Sequence, residues 1–198
     1  GCRIVFIGPC AAKKLEASRR SVRSDVDFVI TFEELRGMFE AKGIDFSQIP
    51  DLPSHYEASA PGVGFAAGGG VAKAVEEVIH RLHPEVAVKT AAAEGLNECR
   101  KMLRIARTGK YDGYLLEGMA CPGGCVNGGG QPIVSAYKRM DLDPREKRAA
   151  GLYAEDESKV IRKSHENPDI KKLYEEFLGK PNSHLAHRLL HTEYTDRS

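Results

Sequence analysis

Short apolar runs alternate with amphipathic stretches along most of this chain, and the alternation changes character after Pro132. Arg3–Ile7 reads as a short strand of the buried type, ending at Gly8-Pro9-Cys10. A basic amphipathic stretch, Ala11–Arg23, follows and is predicted to begin as a helix. Asp27–Thr31 is a second strand, and its last residue doubles as a helix cap. Glu34 stands three positions after Thr31, which predicts a capping box for a helix over Phe32–Lys42, with Gly43 as its stop. Residues 44–69 are rich in Pro, Ser and Gly and carry no period, so they read as a long functional loop or a region ordered by a partner. Val71–Leu82 places Val71, Ala74, Val75, Val78, Ile79 and Leu82 on one helical face. Val86–Ala92 reads as a third strand, Leu96–Arg107 as a helix and Tyr114–Glu117 as a fourth strand.

Strand–helix alternation of this kind predicts an α/β fold, a mostly parallel four-stranded sheet flanked by helices. Ligands of such sheets gather at the carboxyl ends of strands, and Cys10 and Cys121 both fall just past a predicted strand end. Beyond Pro132 the long charged segments Lys147–Lys163, Asp169–Leu178 and His184–His191 predict a C-terminal helical appendage. The division expected is an α/β lobe over residues 1–135 and a helical region over 136–198.

Composition narrows the classes. With 29 Lys+Arg against 28 Asp+Glu, nothing draws the chain to nucleic acid or to an anionic membrane surface. No apolar run approaches the roughly 18 residues that span a bilayer. The opening Gly1-Cys2-Arg3-Ile4-Val5-Phe6-Ile7 is unlike a signal peptide and reads as a chain entering its first strand at once, as if cut from something upstream. Five cysteines without an export signal point to reduced thiols or metal ligands, and to the cytoplasm.

The chemistry concentrates in Gly118–Pro132. The eleven residues Pro122–Pro132 hold five glycines and two prolines around Cys125, with Cys121 just before them. Backbone so stripped of side chains is built to come close to something, and thiolates make iron or zinc the natural candidate. Cys10, Cys121 and Cys125 are the candidate ligands, whereas an iron–sulfur cubane normally takes four cysteines. Cys99 lies inside a predicted helix and reads as core filler, and Cys2 lies at the extreme terminus. Lys13, one turn after Cys10, reads either as a donor to an anionic cluster ligand or, with Lys14, as a solvated basic helix face. Gly62–Gly70 before a helix has the look of a phosphate cradle but misses the dinucleotide spacing, and close helix packing is the better reading. His184, His187 and His191 share a helical face with no acidic or thiol partner in sequence, which favours a capping, hydrogen-bonded or exposed role.

Two segments carry a family resemblance. Phe6-Ile7-Gly8-Pro9-Cys10-Ala11-Ala12-Lys13-Lys14 and Met119-Ala120-Cys121-Pro122-Gly123-Gly124-Cys125-Val126-Asn127-Gly128-Gly129-Gly130-Gln131-Pro132 resemble the second and third signature segments of [FeFe]-hydrogenases. The stretches Asp27–Leu35 and Gly69–Ala74 are similar to intervening segments of that family, and Asn167–Tyr194 resembles its small-subunit region. The resemblance implies an H-cluster: a [4Fe–4S] cubane joined through one thiolate to a two-iron subcluster bearing CO, cyanide and a bridging dithiolate. By position, Cys10 and Cys121 match cubane ligands, Cys125 the bridging thiolate, Lys13 the lysine that hydrogen-bonds a cyanide, and Met119 a methionine beside the two-iron unit. It also implies reversible reduction of protons to hydrogen with electrons from a ferredoxin or other carrier.

Two departures qualify this. The family's Thr-Ser-Cys-Cys-like first segment is not among these residues, so the expectation is a C-terminal lobe, inactive alone, whose partner is the N-terminal half of the same hydrogenase domain. Gly8 stands where better-known members carry methionine, which points to a divergent, sensory or slow branch. A second reading stays open: relatives that hold iron–sulfur clusters for assembly or sensing share a similar Cys-Pro-x-Gly-Cys-x-Asn-Gly-Gly-Gly-Gln loop.

Overall fold

The computed structural model describes residues 1–19, 25–50 and 59–191, with the side chain of Pro61 excepted. The described residues fall into two compact units, each built on one pair of strands. The first takes its residues from 1–55, 129–133 and 165–198, the second from 56–128 and 134–164. The units therefore interleave along the chain, with the cysteine loop handed from the second to the first at Gly128–Gly129.

In the first unit β1 (Val5–Gly8) runs parallel to β2 (Phe28–Thr31), with Val5 opposite Phe28 and Gly8 opposite Thr31. Asp27 seals the start of the pair. Its carboxylate accepts from the Arg3 guanidinium and from the Ile4 amide, each at 2.8 Å, while its own amide donates to the Ile4 carbonyl at 2.9 Å. The Ile4 amide, and then Arg3, hold the Asp27 carboxyl below its usual range. The basic helix predicted after Cys10 is α1 (Ala12–Ser18), and residues 20–23 of that prediction lie outside the described residues. α2 (Phe32–Ala41) begins with the predicted capping box. The Thr31 hydroxyl accepts from the Glu34 amide at 3.2 Å, and the Glu34 carboxylate accepts from the Thr31 amide at 2.9 Å. The helix ends in a Schellman motif, with Gly43 donating to Glu40 and Ile44 to Phe39.

In the second unit α3 (Ala60–Gly64) and α4 (Gly70–Leu82) precede β3 (Lys89–Glu94), α5 (Leu96–Ala106) and β4 (Tyr114–Met119). β3 and β4 are parallel, in a register that sets Ala92 opposite Glu117 and Glu94 opposite Met119. α6 (Ala136–Asp141) and α7 (Pro144–Ser158) follow the cysteine loop, each started by a side-chain cap, Ser135 and Asp143. The Ala60 amide donates to the Ile161 carbonyl at 2.8 Å and Ser59 bonds Ser164 at 3.1 Å, which pins α3 to the chain beyond α7. The chain closes in the first unit with α8 (Pro168–Leu173), a π-type turn (Tyr174–Leu178) and α9 (His184–Leu190). Among the described residues no helix is long and apolar enough to cross a membrane.

The helix-flanked α/β class stands, but the expected four-stranded sheet is two parallel sheets of two strands each. Each pair is closed by its own short crossover, α1 between β1 and β2 and α5 between β3 and β4, and no strand register links one pair to the other among the described residues. The run Arg3–Ile7, expected to be of the buried type, is half exposed among the described residues, because little packs over the faces of a two-stranded sheet: Ile4 is 48%, Val5 45% and Ile7 47% exposed. The third strand begins at Lys89 rather than Val86, and the fourth extends to Met119. The stretch 44–69, expected to be without periodic structure, contains a 3-10 turn (Phe46–Gln48) and α3; residues 51–58 of it lie outside the described residues.

The capping box makes two testable claims. Thr31→Ala is expected to cost about 1 kcal/mol in urea unfolding. Lys14 first, and the Thr31 amide next, hold the Glu34 carboxyl down at about 2. A depressed carboxyl contributes fully above its ordinary 4.5, and the contribution fades as pH falls toward 2. Glu34→Gln is therefore expected to flatten the loss of stability between pH 4.5 and 2, measured by denaturant midpoints across that window.

Candidate metal centre

Cys10 lies two residues past the end of β1, in the first unit, and is half-buried. The backbone on either side of it is fixed by a segment far away in sequence. The Gly130 amide donates to the Pro9 carbonyl at 2.8 Å, and the Gly130 carbonyl accepts from the Glu33 amide, in the first turn of α2, at 3.0 Å. A Cβ on Gly130 would lie 2.8 Å from the Thr31 side chain and 2.9 Å from the Pro9 carbonyl carbon, and Thr31 is itself locked in the capping box. Glu33 extends the clamp by accepting from the Ile133 amide at 3.1 Å, while Arg36 pulls its carboxyl below the usual range. The Cys10 loop is thus tied to the tail of the other cysteine segment through backbone alone.

Lys13 stands in the first turn of α1, three residues after Cys10, and its ammonium is held by Glu16 at 2.7 Å. Lys14 turns the other way, to Glu34 at 2.6 Å. The two adjacent lysines are therefore sorted: one stays on the helix that follows Cys10 and the other braces the start of α2. At Gly8, the space that a side chain would occupy is filled by the ring of Phe6, 2.7 Å from where a Cβ would sit.

In the second unit Cys121 lies two residues past β4, and Cys125 opens a 3-10 turn (Cys125–Asn127). Both thiols are half-buried. The turn between them runs through Gly123 at φ +82° and Gly124 at φ +85°, closed by the Gly124 amide on the Cys121 carbonyl at 3.0 Å. At Gly124 the neighbours are backbone rather than side chain. A Cβ there would lie 2.7 Å from the Ala66 carbonyl oxygen and 2.8 Å from the Gly68 amide nitrogen. The Val126 amide donates to that same Ala66 carbonyl at 3.1 Å. Gly123 donates to the Glu94 carboxylate at 2.8 Å, and Arg148 on α7 donates to the Val126 carbonyl at 3.4 Å.

The glycine-rich segment is therefore the bed of the cysteine loop, and no phosphate is needed to explain it. Its anion is internal: the Glu117 carboxylate accepts from the Gly69 amide at 2.9 Å and from the Ala72 amide at 2.8 Å, where α4 begins. Sequence reading missed Glu117 and Glu94. A signal existed, since Glu117 is the one charged residue in Tyr-Leu-Leu-Glu-Gly-Met, and an apolar strand carries a lone carboxylate only with a partner waiting. Met119 ends β4 half-buried, its carbonyl accepting from the Gly95 amide at 2.8 Å. Cys99 is the predicted filler: its thiol lies 3.5 Å from the Ala93 and Met119 carbonyls and 3.3 Å from where a side chain on Gly118 would begin. Cys2 is exposed, and His187 and His191 stack on each other with ring centroids 4.6 Å apart. Among the described residues no three His, Cys, Asp or Glu side chains are already gathered around a point. Cys121 and Cys125 share one loop of the second unit, and Cys10 belongs to the first. The donor chemistry nonetheless fits iron, because thiolates are its ordinary ligands and none of these thiols is in a disulfide.

Comparison with known proteins agrees with this chemistry. The family model for the C-terminal domain of the iron-only hydrogenase large subunit matches residues 1–129, and that for the iron hydrogenase small subunit matches 142–197. The NADP-reducing hydrogenase subunit HndD of Solidesulfovibrio fructosivorans is 36% identical over 98% of this chain and 38% of its own length. Protein NAR1 of Arabidopsis thaliana is 29% identical over 96% of this chain and 49% of its own length. This chain thus spans less than half of either curated relative. A solved [FeFe]-hydrogenase, studied for oxygen damage to the H cluster 2Fe subcluster, superimposes with a TM-score of 0.69 at 26% identity, over 97% of this chain and 62% of its own.

The two neighbouring glycines that end the cysteine loop give the geometry a direct test. Gly130→Ala is expected to destabilise the chain by about 1–3 kcal/mol in urea unfolding, since either Pro9 or Thr31 must move. Gly129→Ala, whose Cβ would meet only the Ala11 methyl at 3.9 Å, is expected to stay within about 0.5 kcal/mol. The glycines, the two half-buried thiols of one loop and the family match over residues 1–129 converge: the chain belongs to the iron-only hydrogenase family, as the C-terminal domain of its large subunit.

Proposed function

We propose that this chain is the cluster-binding C-terminal lobe of an [FeFe]-hydrogenase, and that Cys10, Cys121 and Cys125 are its iron ligands. The observation that carries the reading is the seat of the cysteine loop, where Gly124 and Val126 lie directly on the backbone of Ala66–Gly68 and present two thiols four residues apart. Cys10 and Cys121 would hold a [4Fe–4S] cubane, and the Cys125 thiolate would join it to a two-iron subcluster. When bound, that cluster supplies the site at which protons and electrons combine to hydrogen. The chain's own residues hold and orient. The clamp at Gly130 fixes the backbone next to Cys10, the bed at Ala66–Gly68 fixes the turn between the other two thiols, and Met119 supplies half-buried apolar bulk at the strand end. Lys13, released from Glu16, would donate a hydrogen bond to a cyanide of the two-iron unit.

The fourth cubane cysteine, on this reading, comes from the N-terminal half of the same hydrogenase domain, and electrons come from a ferredoxin or similar carrier. Five cysteines, none in a disulfide, favour a reducing cytoplasm. The helical region from about residue 136 acts as the small-subunit-like part, with Arg148 reaching the cysteine loop. A second reading, cluster assembly or sensing without turnover, draws on the likeness to Protein NAR1 and on the Phe6 ring that fills the space beside Gly8.

Anaerobic reconstitution with iron and sulfide tests the ligand assignment. Wild type is expected to take up a cubane, read by EPR of the dithionite-reduced chain, and to lose it on gel filtration, because it offers three thiolates of the usual four. Cys10→Ser and Cys121→Ser are expected to lower uptake further, whereas Cys99→Ser leaves it unchanged. Uptake that is indifferent to Cys10 and Cys121 would contradict the assignment.

A further inference from the structure

The loop that carries Cys121 and Cys125 is fixed by more than its own turns. Its bed, Ala66–Gly68, is the last stretch before α4, and the start of α4 is held by a carboxylate from the strand that feeds the loop. Glu117 is half-buried in β4 and spans the two amides of Gly69 and Ala72 at 2.9 and 2.8 Å. On the neighbouring strand, Glu94 of β3 takes the Gly123 amide at 2.8 Å. The result is a closed circuit within the second unit: β4 holds α4, the segment before α4 carries the loop, and the loop returns to β4 at Cys121. We infer that Glu117 is a positioning residue for the thiol pair Cys121 and Cys125, acting through the bed at Ala66–Gly68. The inference rests on the proposed role of these thiols only for its cluster arm.

The chemistry of the circuit is specific to a carboxylate. Two amide donors converge on one side chain, and each takes its own carboxylate oxygen. The positive end of the α4 dipole further favours an anion at that point. A glutamine has the same shape but offers one oxygen and turns an NH2 group against the second amide. Glu117→Gln therefore removes one hydrogen bond and adds a donor–donor clash without changing the packing volume. The loop itself is untouched in sequence, so any change at Cys121 and Cys125 must reach them from outside the loop.

The experiment compares the full chain as wild type, Glu117→Gln and, as a control, Glu98→Gln, whose exposed carboxylate pairs with Lys101 on the surface of α5. Hydrogen exchange reads the Gly69 and Ala72 amides, and iodoacetamide alkylation with peptide mapping reads each cysteine in the metal-free chain. EPR after anaerobic iron–sulfide reconstitution supplies the cluster arm. In Glu117→Gln the two amides are expected to exchange about tenfold faster. Cys121 and Cys125 are expected to alkylate several-fold faster, with Cys2 and Cys99 unchanged, and the EPR line shape to change. Amides that keep their protection would overturn the inference. So would amides that lose it while both alkylation rates and the EPR signal stay those of wild type, for Glu117 would then be a helix cap and nothing more. A wild-type chain that takes up no cluster counts against the proposed function, and the alkylation rates then decide Glu117 alone.

Discussion

Direct contact between the backbone of Gly124 and the backbone of Ala66 and Gly68 is the constraint on which the candidate site depends. At 2.7–2.8 Å from the position of a Cβ, neither neighbouring atom can yield as the tip of a flexible side chain would. The Ala66 carbonyl is doubly engaged, lying against Gly124 and accepting from Val126, so the backbone on either side of Cys125 is registered on it. The clustering of glycine in the chain follows from this. Glycines in the cysteine loop allow it to descend onto the bed, and those in the bed allow it to receive the loop.

Such reliance on backbone is consistent with how little side-chain packing is on offer. Of the seven buried apolar side chains among the described residues, four are alanine. Burying a large aliphatic or aromatic side chain contributes about 1.5–3 kcal/mol, and alanine far less. Order around the thiols is supplied instead by hydrogen bonds from amides to carboxylates, stronger than neutral ones. Glu117 and Glu94 do this in the second unit, and Glu34 and Glu33 in the first. All four accept at helix starts or loop amides, where unpaired N–H groups would otherwise go unsatisfied.

Local chemistry was legible in the sequence, and long-range pairing was not. The capping box at Thr31 and Glu34, the stop at Gly43, and the placing of Cys10 and Cys121 just past strand ends all depend on residues a few positions apart. Sheet size was misjudged because strand–helix alternation reports that strands are parallel and says nothing of how many share one ladder. The glycine-rich segment has the composition of an anion cradle, and it does hold an anion. That the anion is Glu117, 45 residues or more away in sequence, leaves no trace in the local pattern. Gly130 was legible as part of a motif, but its grip on Pro9, from the far side of the sequence, was not.

The central claim is that backbone seating, rather than the cysteines alone, makes the loop a metal site. Iron bound per chain after anaerobic reconstitution, measured for Gly124→Ala beside Gly129→Ala, tests it most directly. Gly124→Ala keeps every thiol but forces the loop off Ala66 and Gly68, and it is expected to lose most of the iron that wild type and Gly129→Ala take up. Equal iron in all three would contradict the account, since thiols free to find iron without their seat need no such bed.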